Sequence, residues 1–451
     1  MDIAVEQDPA EVVNELTKLT LSAPELNRDF VLDLDFSAIM DRSWQVDTKA
    51  LDFLIIAATV YAVDKIVPRD KANDRWTRVL NVTLPVQHLA EWNAAKDSLQ
   101  DAISFLTGDI WNLTFRQANR AFQSRRKNRR KSPSGFPKTP VISLLSGGLD
   151  SFVGALDLLK KYPNQPLLFV SHYDRHVAGP AADQDRLRTF LAQKFTGCIN
   201  HFQVRVGVIE SEENNVAENG KHDFERSFRS RSLVFLALGV YAASRVGDEI
   251  PIIIPENGAV ALNLPLNPSR RGSCSTRTVH PFFLEHLQKA LELAGIPNPI
   301  SNIFELKTKG ELLADCSFPK LLEEAYQLTN SCAKAGRKTH WKNRGAKACG
   351  TCFPCVLRRA SLHTVNLDNE DFGNDVLIGP PTNYPDFHAL LGLLRSNLTP
   401  EAIRVRLLAN GRLPIDKLND YAAVIQRFIE EVSRWVVAKG SKRARVTAGL
   451  K

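Results

Sequence analysis

The chain has no apolar run long enough to cross a membrane: the longest, Leu54–Val63 and Ser232–Ser244, cover about 10–13 residues where roughly 20 are needed. It has no apolar segment near its start either. MDIAVEQDPAEVV is acidic, nothing in it directs secretion, and the expected compartment is the cytoplasm. Cysteine is sparse, 7 in all, and in a cytosolic setting such residues point away from disulfides, so their grouping becomes the useful question. Internal repeats are lacking. A composition of 44% hydrophobic and 24% charged residues, with Gly and Pro at 24 each, excludes a disordered, collagenous or fibrous chain. What is present is a globular chain of 451 residues, enough for two or three domains at roughly 100–200 residues each.

The net charge of +8 is concentrated. Six of the seven residues from Arg125 to Lys131 (RRKNRRK) are basic, and without them the chain is close to balance. A general nucleic-acid surface would spread its Lys and Arg more widely. The run reads either as a solvated linker or as a local contact with a polyanion, which leaves nucleic acid open as a partner.

Residues 1–30 are polar and acidic and read as a partly ordered arm. Residues 51–67 and 91–107 carry helical apolar spacing, while 76–86 alternates like a strand and 110–116 reads as extended. We therefore expect an N-terminal α+β domain over 1–122 without a chemical motif, suited to packing or partner contact. A basic linker rich in Ser, Pro and Gly follows over 123–138. From Val141 short apolar runs (141–145, 166–171, 201–206, 250–254) alternate with helical segments (152–162, 184–195, 231–245). That pattern predicts an α/β fold, a parallel sheet covered by helices on both faces, with ligands bound beyond the carboxyl ends of its strands. A helical tail closes the chain, clearest at 401–408 and 421–437.

The most informative stretch is VISLLSGGLDSFVGALDLLKK (141–161), in which a buried strand runs into Ser146-Gly147-Gly148-Leu149-Asp150-Ser151 and a helix follows at once. Two glycines let the backbone turn tightly and expose its N–H groups. Those groups, two hydroxyls and the positive end of the helix converge on one spot, which suits a phosphate or pyrophosphate. No lysine follows the second glycine, so this is not a Walker A loop, nor does it match G-x-G-x-x-G.

A second cluster stands at CGTCFPCVLRR, with Cys349, Cys352 and Cys355, and Cys332 earlier in the chain. Four thiolates from two segments can complete a closed, structural zinc site. Redox or sulfur-carrying thiols and a chance grouping are the alternatives. Cys198, Cys274 and Cys316 stand alone and read as core residues.

The loop resembles the SGGxDS loop of the PP-loop ATP pyrophosphatases, which split ATP between its α and β phosphates. Loop and cysteines together, SC…CGxCxxCxxR with Arg358 at the arginine, resemble the 7-cyano-7-deazaguanine synthases (QueC-like). RSLVFLALGVYAA (231–243), with Arg231, is similar to that family's RNxIFLS helix, KTKGELL (307–313) to its TKxEII turn, and FVSHYDRH (169–176) is a poorer likeness of its FDYGQRH segment. The resemblance covers roughly 139–365 and implies a PP-loop/HUP-like domain there, with 366–451 as a helical extension. Longer QueC-like proteins of this shape occur in bacterial anti-phage systems, the Qat system among them.

By this resemblance Leu145, Ser146, Gly147, Gly148, Leu149, Asp150 and Ser151, with Ser171 and His172 past the next strand, hold ATP; His176 lies in the same place. Ser146, Asp150, Ser151 and Arg231 would be catalytic, with Asp150 contributing to Mg2+, and Zn2+ at the cysteines. The reaction implied is adenylation of a 7-deazaguanine-type carboxylate by ATP, then displacement of AMP by an amine to give an amide, or a nitrile after a second ATP. The added segments suggest a protein from the same defence operon as amine donor. Where the family carries GYPDCRPEF, this chain has 254–283, with Glu256, Asn257, Arg277 and His280 as polar candidates. A tRNA-thiolating PP-loop enzyme and a non-catalytic nucleotide-binding scaffold are the competing readings.

Overall fold

A computed structural model describes residues 1–7, 19–40, 48–119, 135–212, 222–227, 229–266, 277–335 and 337–451. The Arg125–Lys131 run and Cys274 lie outside the described residues.

The N-terminal segment contributes β1 (Asp2–Gln7), β2 (Leu19–Ala23), β3 (Arg28–Leu34), α1 (Phe36–Met40), α2 (Thr48–Ile66), β4 (Val79–Val86), α3 (Leu89–Thr107) and β5 (Ile110–Gln117). The expected arm over 1–30 is therefore three strands. Ile3, Val5, Leu19, Leu21 and Phe30 face a core, and Asp2 and Glu6 point out. Such alternation is easily overlooked because each strand is so short. The central segment adds β6 (Ile142–Leu144), α4 (Leu149–Lys161), β7 (Leu167–Tyr173), α5 (Pro180–Lys194), β8 (Ile199–Glu210), α6 (Arg231–Ser244), β9 (Ile252–Ile253), α7 (Gly258–Leu262), α8 (Pro281–Leu293) and β10 (Ile300–Ser301).

All ten strands form one sheet in the order β10-β9-β6-β7-β8-β3-β2-β1-β4-β5. The run from β10 to β8 is parallel, as are β1, β4 and β5. Between them β8, β3, β2 and β1 pair antiparallel. The sheet is thus mostly parallel, and its two halves meet where Phe30–Leu34 pairs with Glu210–Val206. A single apolar core runs across that seam. Helix α2 packs on α6, and α3 on α8.

Every residue of α2 from Ala50 to Ile66 is buried, and the helix is apolar nearly all round, as an enclosed helix must be. Its few charges have partners. The Asp52 carboxylate accepts from the Gln87 and His88 N–H groups at 2.9 Å. Asp64 and Asp109 lie between Arg69 and Arg78, with Arg78 Nη2 at 2.6 Å from both carboxylates. Lys65 Nζ reaches Asp174, just past β7, at 2.5 Å, and the Tyr61 hydroxyl donates to the same carboxylate at 3.1 Å.

The remaining helices are α9 (Lys309–Ala314), α10 (Pro319–Ala325), α11 (Phe353–Thr364), α12 (Pro385–Arg395), α13 (Pro400–Leu408), α14 (Leu418–Lys439) and α15 (Lys442–Ala448). The amphipathic α14 packs on α11 and α13 and buries Tyr421, Phe428 and Trp435.

Removing one member of a buried ion cluster leaves an uncompensated charge. Asp109→Ala is expected to cost about 3–5 kcal/mol in urea unfolding. A loss under about 1 kcal/mol would show the cluster to be dispensable.

Candidate functional site

Strand β6 ends where Leu145 N–H donates to the Val170 carbonyl at 2.8 Å and the Leu145 carbonyl accepts from the Ser171 hydroxyl at 2.6 Å. The chain then turns through Gly147, whose φ of +88° disfavours any side chain; a Cβ there would also stand 3.2 Å from that of Asp183. Gly148 caps α4, and its own N–H reaches the Ser146 hydroxyl at 3.3 Å. The Ser146 and Ser151 hydroxyls lie 3.1 Å apart, and Ser151 donates to the Gly148 carbonyl at 3.0 Å. Two hydroxyls therefore sit at the end of a 13-residue helix whose first N–H groups have no intrahelical acceptor. Such an end attracts an anion.

At the second position of α4, Asp150 points inward and is 5% exposed. Its carboxylate takes the Lys309 ammonium on one oxygen, and on the other the Asn257 side-chain amide at 2.7 Å and backbone N–H at 3.2 Å. Burial alone would raise its pKa, but the Lys309 charge and the hydrogen bonds from Glu256 and Asn257 hold it below the usual carboxylate value. Half-buried Glu256 beside it goes the other way: desolvation first, then the Asp150 charge, pushes its carboxyl well above the ordinary glutamate value. Of the two carboxyls Glu256 is the one that keeps its proton to higher pH, and the hydrogen bond between them runs from it to Asp150.

Lys309 opens α9 within a capping box, Thr308 Oγ1 accepting from Glu311 N–H at 3.1 Å and Glu311 from Thr308 N–H at 2.8 Å. The C-terminal helix braces this turn. Glu431 of α14 accepts from the Thr308 hydroxyl at 2.6 Å and from Gly310 N–H at 2.9 Å, and Arg427 donates to Glu311 at 2.6 Å. A Cβ on Gly310 would stand 2.5 Å from Glu431 Oε2, so only glycine lets the two come together.

Beside the loop is a cavity of about 220 Å³, walled by Leu144, Phe235, Leu236, Ile254, Pro255 and Val279, with Ser146, Ser151, Arg231, Ser232, Glu256 and Thr278 supplying polar groups. Arg231, the first residue of α6, makes no hydrogen bond or ion pair among the described residues; its guanidinium lies 5.5 Å from the Phe235 ring centre. An unpaired guanidinium in a largely apolar cavity suits a planar ligand bearing a carboxylate.

The structure thus brings Ser146, Gly147, Gly148, Asp150, Ser151 and Arg231 together. Leu145 and Leu149 are fully buried and serve the turn's core side. Ser171 and His172 are 0% exposed and turned inward. Ser171 is engaged with Leu145 and, at 2.8 Å, with His201. His172 Nε2 meets the Val206 carbonyl at 2.9 Å, and its ring packs on Tyr61 and Phe235. As neighbours on a strand the two point to opposite faces, Ser171 to Leu145 at the root of the loop and His172 to the Tyr61 and Phe235 rings. His176 is exposed in the following turn. Glu256 and Asn257 do join the site. Arg277 instead donates to the Phe105 carbonyl at 2.9 Å and stacks on that ring, and buried His280 caps α8. Lys309 of the KTKGELL turn joins the site too, and nothing local marks it, because the carboxylate it meets is 159 residues away.

The four cysteine sulfurs of Cys332, Cys349, Cys352 and Cys355 all lie within 4.8 Å of one another and none is in a disulfide. Tetrahedral zinc–thiolate bonds of about 2.3 Å place sulfurs about 3.8 Å apart, and Cys349 and Cys355 are at 3.8 Å. Backbone N–H groups favour thiolates: Lys334 and Cys349 donate to Cys332 at 3.3 Å, and Thr351 and Cys352 to Cys349 at 3.4 and 3.3 Å. Hydrogen bonds from the other three thiols further lower the pKa of Cys349. The cluster can hold a metal ion, and its donor set is compatible with zinc. It is tied to the glycine loop, since Asn330 N–H donates to the Gly147 carbonyl at 2.9 Å. Arg358 is structural, bonding Glu370 at 2.5 and 2.7 Å and Thr329 at 2.7 Å. Cys316 is buried, as expected, and Cys198 only partly so.

Chelation is expected to remove one metal ion per chain, measured by elemental analysis, and to lower the melting temperature; unchanged melting would divorce the cluster from stability. Two pH effects follow from burial. His172 and His280 are held down to about 3 from 6.5, so each binds fewer protons folded than unfolded. Their contribution is complete above 6.5 and is lost toward pH 3, at up to about 1.4 kcal/mol per pH unit each. Glu256 has the opposite sign: folding holds a proton that the unfolded chain releases, so stability falls as pH rises above 4.5. Glu256→Gln is expected to melt progressively higher than wild type as pH rises from that value, and a constant gap would count against a protonated Glu256.

No family model, curated protein or solved structure matches this chain, and the assignment of the site rests on its geometry and on the motifs it contains.

Proposed function

We propose that this protein adenylates a 7-deazaguanine-type carboxylate with ATP and passes the acyl group to an amine, as a QueC-like PP-loop enzyme of bacterial anti-phage defence. The observation that carries this reading is the shared wall: Ser146 and Ser151 belong both to the helix-end anion site and to the Arg231 cavity. The loop and α4 would bind the pyrophosphate half of ATP, and Arg231 the substrate carboxylate. The carboxylate oxygen attacks the α-phosphorus, the bond to the bridging oxygen breaks, and pyrophosphate leaves. The amine nitrogen then attacks the acyl carbon and loses a proton as AMP departs with the bonding electrons. A nitrile would require a second ATP to remove the amide oxygen.

Asp150 would contribute a carboxylate oxygen to Mg2+, a hard cation suited to it, and Glu256 beside it would join only on giving up its proton. Bound there, Mg2+ would offset charge developing on the leaving pyrophosphate. Lys309, now on Asp150, is a further cation for the same task. The cysteine cluster would hold Zn2+ as a structural ion. The reading is of a cytoplasmic enzyme whose amine donor is a partner protein; among the described residues no helix is long and apolar enough to cross a membrane.

Substrate-dependent ATP–pyrophosphate exchange tests the reading. Wild type is expected to exchange, Asp150→Ala to fall about 100-fold or more, and Arg231→Ala to raise the KM for the carboxylate more than that for ATP. Exchange absent from wild type with every deazaguanine carboxylate would favour a non-catalytic scaffold.

A further inference from the structure

Between Cys332 and Cys349 the chain carries Lys334, Arg337, Lys338, Lys342, Arg344 and Lys347, and no aspartate or glutamate. All six cations are exposed. Lys347 faces Asp183 at 3.8 Å; among the described residues the other five meet no carboxylate. The side-chain hydrogen bonds they make run to backbone carbonyls: Arg337 to Arg226 at 3.4 Å, Lys338 to Arg344 at 3.1 Å and Arg344 to Thr339 at 3.4 Å.

The loop is braced from below. Buried Trp341 packs so closely on Gly373 that a Cβ there would stand 2.5 Å from the indole. Asn343 N–H donates to the Gly373 carbonyl at 3.0 Å, and the cysteine cluster clamps both ends. Five exposed cations without carboxylate partners make a local positive potential, which a ligand carrying several negative charges offsets better than single counterions do.

Two kinds of polyanion could answer, an acidic protein segment or a nucleic acid. Protein interfaces are centred on aromatic or aliphatic anchors and are poor in lysine. This loop exposes no apolar side chain larger than alanine; besides cations it presents Thr339, His340 and Asn343. Lys, Arg, Thr and Asn side chains are among the groups that supply most phosphate and sugar contacts. We infer that Lys334, Arg337, Lys338, Lys342 and Arg344 bind the phosphodiester backbone of a nucleic acid. From the loop's end the cations continue through Lys347 and Arg186, both on Asp183, whose Cβ borders Gly147, so the bound strand would run toward the glycine loop. This inference is independent of the adenylation chemistry.

The test is fluorescence anisotropy on the full, metal-loaded chain with labelled single-stranded RNA and a DNA duplex, titrated with salt and competed with polyglutamate. Wild type is expected to bind at least one nucleic acid with affinity falling steeply in salt; the preferred probe identifies the strand type. The triple variant Lys334→Glu, Arg337→Glu, Lys342→Glu should bind about tenfold or more weaker, with the slope of log K against log salt smaller by about 2–3. Metal content and melting temperature monitor its fold, and the corresponding triple glutamine variant gives the same reading if charge reversal releases metal. Absence of nucleic-acid binding by wild type would overturn the inference. So would polyglutamate binding as tightly as RNA or DNA, or losses confined to variants in Arg125–Lys131.

Discussion

A buried carboxylate must be compensated, and at Asp150 that requirement organises the site. Its compensation comes from two stretches of chain: Lys309 at the start of α9, and Asn257 at the start of α7 with Glu256 next to it. Both capping positions are themselves stabilised, Asn257 by accepting from Val260 N–H and Thr308 by its box with Glu311. The carboxylate is thus the point at which the glycine loop is fastened to the rest of the domain. Because Glu431 holds the Thr308–Gly310 turn, the C-terminal helix acts on Asp150 at one remove.

The N-terminal segment has a similar structural role. Its β3 continues the sheet from β8, and Lys65 and Tyr61 of α2 settle Asp174 at the end of β7. Asp174 in turn receives His176 N–H at 2.8 Å and orders the turn beyond that strand. The described contacts of this segment with the crevice side of the sheet are thus packing and ion-pair contacts.

Much of this was legible in the residues, and the exceptions have physical causes. The glycine loop and the cysteine cluster are local: the groups that act together lie within a few positions, so spacing reports geometry. The helices α2, α3, α4 and α6 were also plain, because long runs of apolar spacing average out ambiguity. Ser171 and His172 show the limit. A strand's end can be located from its apolar run, but in a sheet covered on both sides either face is buried, so periodicity does not say which side chain reaches the crevice. Lys309 shows another, since the carboxylate that fixes its role lies 159 residues away. The change of composition after residue 122 reads as a linker between domains, and hydrogen bonding between β3 and β8 joins the strands on either side of it into one sheet. Cross-chain pairing of this kind leaves no local mark.

That seam also bears on how the chain is made. Arg205 on β8, which holds Asp33 of β3, lies 172 residues further on. At ribosomal speeds, β3 waits on the order of ten to forty seconds for its neighbour to be synthesised. Throughout that interval an open strand edge beside a half-built apolar layer is exposed, the kind of surface that chaperones shield and that aggregates when they do not. Translation rate and chaperone supply, more than equilibrium stability, would then set how much of this protein a cell recovers in active form.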